Sequence, residues 1–375
     1  MQKRALPLGS SNFVSLRQAS EIYVDKTDLI YKLTQNKGFY FLIRPRRFGK
    51  SLLISTIETL FVSGIKEFSG LSIAQKWSDN KTYRVAKLDF SEIMEFSDIE
   101  DFKLQLSDYV ASKFQTAGFK RITNDENTYS QLCKWLSTLK ADSLVVLIDE
   151  YDAPLTKCLD NPKLFKEVSN ILNNLYVTLK DNENCLRFLF ITGITHYGHS
   201  IISQVFDNLE DISFNPVYAT LLGFSENEIL AYFEDYLFHA AKSLNTCENR
   251  IVELLRDNYS GYSFVLQGNA HVYNPWSVLN FFNYPELGFC NYWFTSGGSP
   301  FKLINSSKNQ KDIQKKPIPL TDFLNGLQKS DFYTDILLYQ TGYLTIRGLT
   351  QNRRVQLNFP NLEIAESFAE LAKNN

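Results

Sequence analysis

The chain has 375 residues and a formal net charge of −2, so it is long enough for two or three domains and carries no global basic field of the kind that advertises nucleic acid. Its five cysteines, Cys133, Cys158, Cys185, Cys247 and Cys290, lack C-x-x-C spacing, which argues against a zinc site or a disulfide framework and fits a reduced, cytoplasmic setting. No run of about 18 apolar residues and no signal-peptide core occurs, so neither membrane insertion nor secretion is expected.

Residues 1–30, with Leu6-Pro7-Leu8-Gly9 and Tyr23-Val24-Asp25-Lys26-Thr27, read as an arm wrapped onto a core at 31–220. Asp25 and Thr27 are candidate caps for a helix over 28–34. The apolar run Phe39-Tyr40-Phe41-Leu42-Ile43 reads as a buried strand. It leads into Arg44-Pro45-Arg46-Arg47-Phe48-Gly49-Lys50-Ser51, and Leu52, Leu53, Ile54, Ile57, Leu60 and Phe61 then recur at helical spacing. Strand, loop, Gly-Lys-Ser and helix in that order are the layout of a phosphate-binding P-loop. Nucleotide contacts are expected from Arg44, Pro45, Arg46, Arg47, Phe48, Gly49, Lys50, Ser51 and Leu52, with Lys50 neutralising phosphate charge and Ser51 a ligand to Mg²⁺. The usual G-x-x-x-x-G-K-[ST] pattern is broken by Arg44 at the first glycine position, which implies a differently shaped loop or a weakened site. A plain strand–turn–helix with a surface lysine is the alternative.

A second strand is expected over 83–90, ending near Asp89, and helices over 98–115 and 128–140. Ser143-Leu144-Val145-Val146-Leu147-Ile148-Asp149-Glu150 is a continuous apolar run ending in two acids, a Walker B pattern. Asp149 is the candidate Mg²⁺ ligand and Glu150 the candidate general base, against the alternative of an ordinary acidic turn. The run 186–193 reads as a further buried strand, and Thr192 at its tip either senses the γ-phosphate or simply starts a turn. A fifth strand is expected at 211–214. Together these predict an α/β chain with a three-layer P-loop NTPase core around a parallel sheet, its ligand at the carboxyl ends of the strands. Arg44, Arg46 and Arg47 put three permanent charges beside the phosphates. Arg47 is carried as a catalytic candidate, yet the residues leave open which arginine acts as a finger in cis and which pairs with Asp152 or Asp89 to hold the loop in shape.

Residues 221–310 read as a helical lid region. Ser225 and Glu228 form a capping box for a helix over 226–244, helices follow over 248–258 and 275–282, and Asn274-Pro275 opens the last of these. Trp276 and Tyr262 read as core rather than as contacts to ligand. A polar linker is expected at 305–316. Residues 311–375, with helices over 321–327 and 333–340 and a strand pair over 342–347 and 353–359, read as a small winged-helix-like C-terminal module. Its Arg347, Arg353 and Arg354 suggest DNA contact, but a solvated hairpin face or an internal brace is the favoured reading.

The motifs quoted above, with Leu147-Ile148-Asp149-Glu150-Tyr151-Asp152, Ile191-Thr192-Gly193-Ile194-Thr195 and Tyr273-Asn274-Pro275-Trp276-Ser277, resemble the bacterial AAA-ATPase-like family over nearly the whole chain. Members of that family commonly carry a PD-(D/E)xK nuclease domain after the ATPase, and its P-loop has the arginine-rich form as a rule. The resemblance implies ATP and Mg²⁺ as cofactors, and the absence of a guanine-reading N-K-x-D motif agrees. Two departures stand out. Where relatives place lysines, His196 and His199 occur, read here as solvated loop residues; and after the segment 359–368, which resembles the family's bridge into the nuclease, no Asp and Glu-x-Lys strand pair follows, so the nuclease is expected to be absent. The expected function is Mg-dependent ATP binding and hydrolysis, with nucleotide state controlling the C-terminal modules. The alternative is a nucleotide-gated module with little turnover that controls a nuclease or contacts DNA. A homo-oligomer or an effector partner is compatible with either.

Overall fold

Five strands form one parallel sheet: β1 (Gly38–Ile43), β2 (Arg84–Asp89), β3 (Leu144–Asp149), β4 (Leu186–Gly193) and the short β5 (Leu209–Asp211). The computed structural model describes residues 4–93, 95–122, 127–296, 316–327 and 334–373, so the expected linker at 305–316 lies, apart from Lys316, outside the described residues. Strand order is β2-β3-β4-β1-β5, which places β4 between the strand that feeds the Gly-Lys-Ser loop and the strand that ends in Asp149. The fifth strand falls at 209–211, just ahead of the expected 211–214, because Ile212 closes onto Phe41 O and the chain then turns.

β3 and β4 are buried along their whole length, so both faces need cover. One face carries α1 (Phe13–Gln18), α2 (Thr27–Thr34) and α3 (Lys50–Ser63); Leu42, Val145, Leu147, Phe188 and Phe190 pack there with Leu53, Ile57 and Phe61. The other carries α4 (Ile99–Gln115), α5 (Thr128–Ser137), the single turn α6 (Ala153–Thr156), α7 (Pro162–Asp181) and α8 (His199–Val205), against Phe41, Leu88, Val146 and Ile191. The result is the three-layer α/β core. At the start of α2 the Asp25 carboxylate accepts from Thr27 N and from Thr27 Oγ1, so Thr27 is the first helical residue and not itself the cap.

Beyond the sheet, the capping box of Ser225 and Glu228 is formed as expected, but the helix breaks at Phe233 into α9 (Glu226–Tyr232) and α10 (Glu234–Ser243). α11 (Glu248–Tyr259), α12 (Pro275–Asn283) and α13 (Tyr292–Ser296) follow. Between α11 and α12, β6 (Tyr262–Ser263) pairs antiparallel with β7 (His271–Val272). The last described segments are β8 (Ile318–Pro319), the helices Leu320–Gly326 and Thr334–Thr341, β9 (Thr345–Leu349), β10 (Arg354–Asn358) and the helix Leu362–Lys373. β8, β10 and β9 form a three-stranded antiparallel sheet in that order. Arg347 donates to Phe359 O and Pro360 O, and Arg354 to Pro317 O, so two of the three hairpin arginines bind main chain.

Candidate nucleotide-binding site

Strand alternation assembles the site. Side chains two residues apart share a face, so Val85 and Asp89, Val145, Leu147 and Asp149, and Phe188, Phe190 and Thr192 all lie on the α3 side of the sheet. Asp89 is the register partner of Asp149, and Thr192 that of Leu42 at the end of β1. Three polar residues therefore stand at neighbouring strand tips, where α3 begins with Lys50 and Ser51.

The loop that joins β1 to α3 leaves the sheet through Arg44 N, which donates to Gly193 O. Two of its residues adopt left-handed backbone, Arg47 at φ 65° and Gly49 at φ 97°. Gly49 meets this at little cost, and the Arg47 conformation costs about 1–2 kcal/mol that surrounding contacts must supply. Gly49 is also the N-cap of α3, and it brings no side chain to the first-turn amides; nor does that turn hold an acid. The positive end of the helix is thus left for an anion.

Lys50 is 5 % exposed, and its ammonium donates to Arg44 O and Pro45 O at 3.1 Å each. Burial pushes its pKa down, against the pull of Glu150, Asp149 and Asp152. Asp149 is buried; burial raises its carboxyl, while the Ser51 hydroxyl hydrogen-bonds it and Lys50 attracts it. Glu150 likewise has a raised pKa, first from burial, with Lys50 opposing and Asp149, Asp152 and Asp89 reinforcing. Its backbone sits at φ 47°, a left-handed conformation rare for a non-glycine residue, just where the candidate base leaves the strand.

Asp152, which sequence reasoning offered only as a partner for a loop arginine, does other work. Its carboxylate accepts from Thr195 N and Thr195 Oγ1, both at 2.7 Å, and from Ile194 N at 3.2 Å. This ties the turn after β3 to the turn after β4. A Cβ at Gly193 would lie 2.4 Å from Asp152 Oδ1, so glycine is required for that approach. Asp89 accepts from Ser91 N and Ser91 Oγ, leaving it beside Asp149 with no arginine among its described bonds. The signal for the role of Asp152 was available in the Asp-Glu-Tyr-Asp and Thr-Gly-Ile-Thr strings, whose tips must meet if β3 and β4 are neighbours.

The arginines separate. Arg44 is 2 % exposed and points away from the loop's ligand side: it donates to Ile43 O at 2.7 Å and Ser213 O at 2.9 Å, with Tyr218 O at 3.4 Å, and lies 4.1 Å from the centroid of the Phe264 ring. It braces the site rather than facing it. Arg46 and Arg47 line a cleft of about 690 Å³ together with Phe48, Gly49, Lys50, Ser51, Leu52 and Glu150. The cleft continues between the arm (Pro7 to Ser11, Val24, Lys26) and Leu221 to Phe224, and is closed by Pro275, Trp276 and Leu279. Pro45 is buried outside the lining, and Arg187 donates to Thr34 O and Gln35 O at the end of α2, away from the site. Thr192, near the end of β4 and outside the cleft lining, is fully buried, and among the described residues its hydroxyl has no partner.

Two expectations need correction. His196 and His199 are not solvated: His196 is 2 % exposed, its Nε2 is 2.9 Å from Asp211 Oδ2, its amide donates to Gln340 Oε1, and its ring stacks on Phe214. Burial would raise the Asp211 carboxyl, but His196 and the Ser213 donors outweigh it and hold the carboxyl down at about 2. Trp276 belongs to the cleft wall, with the Arg47 guanidinium 4.4 Å from its centroid, whereas Tyr262 is core, as expected.

Comparison with known proteins agrees with this architecture. The sequence profile described as "Predicted AAA-ATPase" matches residues 7–203, which include the arm, the loop, β3 and β4. The chain is also 30% identical, over 99% of its own length and 70% of the relative's, to an uncharacterized protein in the vnfD 5' region of Azotobacter chroococcum mcd 1. A five-stranded parallel sheet with β4 set between the strand before the Gly-Lys-Ser loop and the strand that ends in Asp149, and a matching profile over more than half of the chain, place this protein in the AAA-ATPase-like family.

Proposed function

We propose that the cleft binds ATP with Mg²⁺ and hydrolyses it. The observation that carries this reading is the convergence of Lys50, Ser51 and Glu150 at one end of a cleft large enough for a nucleotide, at the uncapped start of α3, with Asp149 hydrogen-bonded to Ser51 behind the lining. The Thr192 hydroxyl at the end of β4, which has no partner among the described residues, also fits a site built around a ligand.

Ser51 and Asp149 are the residues to hold Mg²⁺. With these two side chains as protein ligands, phosphate oxygens and water would complete the shell of the ion. When bound, Mg²⁺ would neutralise charge on the phosphates. Lys50, now satisfied by two loop carbonyls, exchanges them for phosphate oxygens when the nucleotide arrives. Glu150, kept in reach by its left-handed backbone, accepts a proton from the attacking water, and Lys50 favours its ionised form. Arg46 or Arg47, both in the cleft wall, offers charge to the developing transition state; Arg44 is committed elsewhere.

The test is titration of the purified chain with a fluorescent ATP analogue and Mg²⁺, with phosphate release followed in parallel. Wild type is expected to bind and turn over, Lys50→Ala to lose binding, and Glu150→Gln to bind without turnover. Tight binding without turnover in wild type would instead support a nucleotide-gated module, and no binding would overturn the reading.

A further inference from the structure

The five consecutive loop residues Arg44 to Phe48 are each met by residues from the C-terminal half of the chain, with Phe264 meeting the first and the last. Arg44 lies over Phe264. Pro45 abuts Gly342, where a Cβ would come within 2.7 Å of Pro45 Cβ. Arg46 O accepts from Trp293 Nε1 at 3.0 Å, and Arg47 lies over Trp276. Phe48 packs edge-on against Tyr262 and Phe264, with centroids 4.9 and 5.4 Å away. A loop that must hold a left-handed arginine gets that support from residues more than 200 positions later.

From this we infer that the segments carrying Phe264, Trp276, Trp293 and Gly342 form a clamp that fixes the phosphate loop in its binding shape, so that nucleotide binding and clamp docking stabilise each other. Trp293 is the key positioning residue, because its indole N–H holds a loop carbonyl directly. It lies fully inside the C-terminal cluster, with its ring 5.1 Å from that of Tyr343, so the loop is joined to that cluster by a rigid strut. Gly342, at φ 93°, has the one side chain small enough to let the turn before β9 close on Pro45. The inference rests on the nucleotide reading for its ligand but not for the clamp itself. If the loop is competent only when clamped, loosening the clamp lowers apparent affinity by the competent fraction, and by reciprocity nucleotide tightens the clamp.

The experiment compares wild type, Trp293→Phe and Arg47→Gln by hydrogen exchange with and without MgATP, alongside MgATP titration. Trp293→Phe removes the donor and also shortens the ring system, leaving a small void in the C-terminal cluster. Arg47→Gln, at an exposed position, removes the ring contact without touching the core. Without nucleotide, both variants should exchange the amides of residues 46–49 about three- to tenfold faster, and Trp293→Phe should weaken MgATP by a similar factor. In wild type, MgATP should slow exchange in 276–293. Unchanged loop exchange in both variants, or nucleotide binding that leaves 276–293 unaltered, overturns the clamp. If wild type binds no nucleotide, the functional reading fails and the nucleotide-free exchange alone decides the clamp.

Discussion

Replacing Arg44 by glycine restores the usual P-loop pattern, and a rule based on motif alone expects a better site. The structure requires the opposite. Arg44→Gly removes a guanidinium that satisfies Ile43 O and Ser213 O at good distance and Tyr218 O weakly, and empties the space over Phe264. Two buried carbonyls left without a donor cost about 4 kcal/mol, and the void adds about 2 kcal/mol. Against this, Arg44 is an expensive residue to bury: burial lowers its pKa from 12.5 to about 10, equivalent to about 3 kcal/mol that the variant recovers. The net loss is about 3 kcal/mol of folding stability, read by urea denaturation with the slope held common to both proteins. Nucleotide affinity should fall as well, since the carbonyls that Arg44 fixes belong to the end of β1 and to the segment after β5, on either side of the loop. An Arg44→Gly protein as stable as wild type would refute the bracing role, and one that also bound MgATP more tightly would restore the motif-based view.

Thr192→Val replaces a buried hydroxyl that has no partner among the described residues with a methyl of the same shape, so stability should hold or rise by about 1 kcal/mol. If that hydroxyl positions the attacking water, turnover should fall at least tenfold at unchanged MgATP affinity, whereas unchanged turnover would leave Thr192 an ordinary strand-end residue. Glu363, which accepts from Ser277 Oγ and Trp293 N, is raised by burial from 4.5 to about 7. The fold therefore favours its protonated form: that stabilisation, about 3 kcal/mol at most, is complete below pH 4.5 and is lost as pH rises through 7. Denaturation at pH 5 and pH 8 should show this loss in wild type and a flatter response in Glu363→Gln; equal slopes would show that Glu363 does not titrate in this range.

The parts of the fold that were legible are those in which a local pattern is sufficient. β1 and β3 are apolar runs, and β4 is one apart from Arg187 and the polar tip at Thr192, which is sufficient for buried parallel strands. The capping box at Ser225 is a four-residue signal and formed as read. What failed depended on distant residues. The break at Phe233 is invisible to periodicity because the apolar face stays in phase across it: Ile229, Phe233, Tyr236 and Leu237 all enter one cluster. His196 looks like a loop residue by its neighbours, and only the arrival of Asp211, Phe214 and Gln340 from elsewhere in the chain buries it. Trp276 was weighed as core because aromatics usually are, and nothing local shows that Arg47 sits across from it.

Arg44 is the most instructive of these cases, because the rule it breaks concerns backbone conformation rather than chemistry. Glycine is favoured at the first P-loop position where the chain must enter the left-handed region. Here Arg44 is not among the residues with positive φ; the left-handed turns are at Arg47 and Gly49, later in the loop. With the conformational demand moved downstream, the first position is free to carry a large side chain, and a charged fork is the one that can bind several carbonyls at once. The substitution and the displaced turn are then two parts of one change. A loop shaped this way relies on contacts instead of on glycine's freedom, which is why its residues meet Phe264, Gly342, Trp293 and Trp276 in turn. Loss of intrinsic flexibility in the loop and its capture by the C-terminal half follow from the same physical requirement.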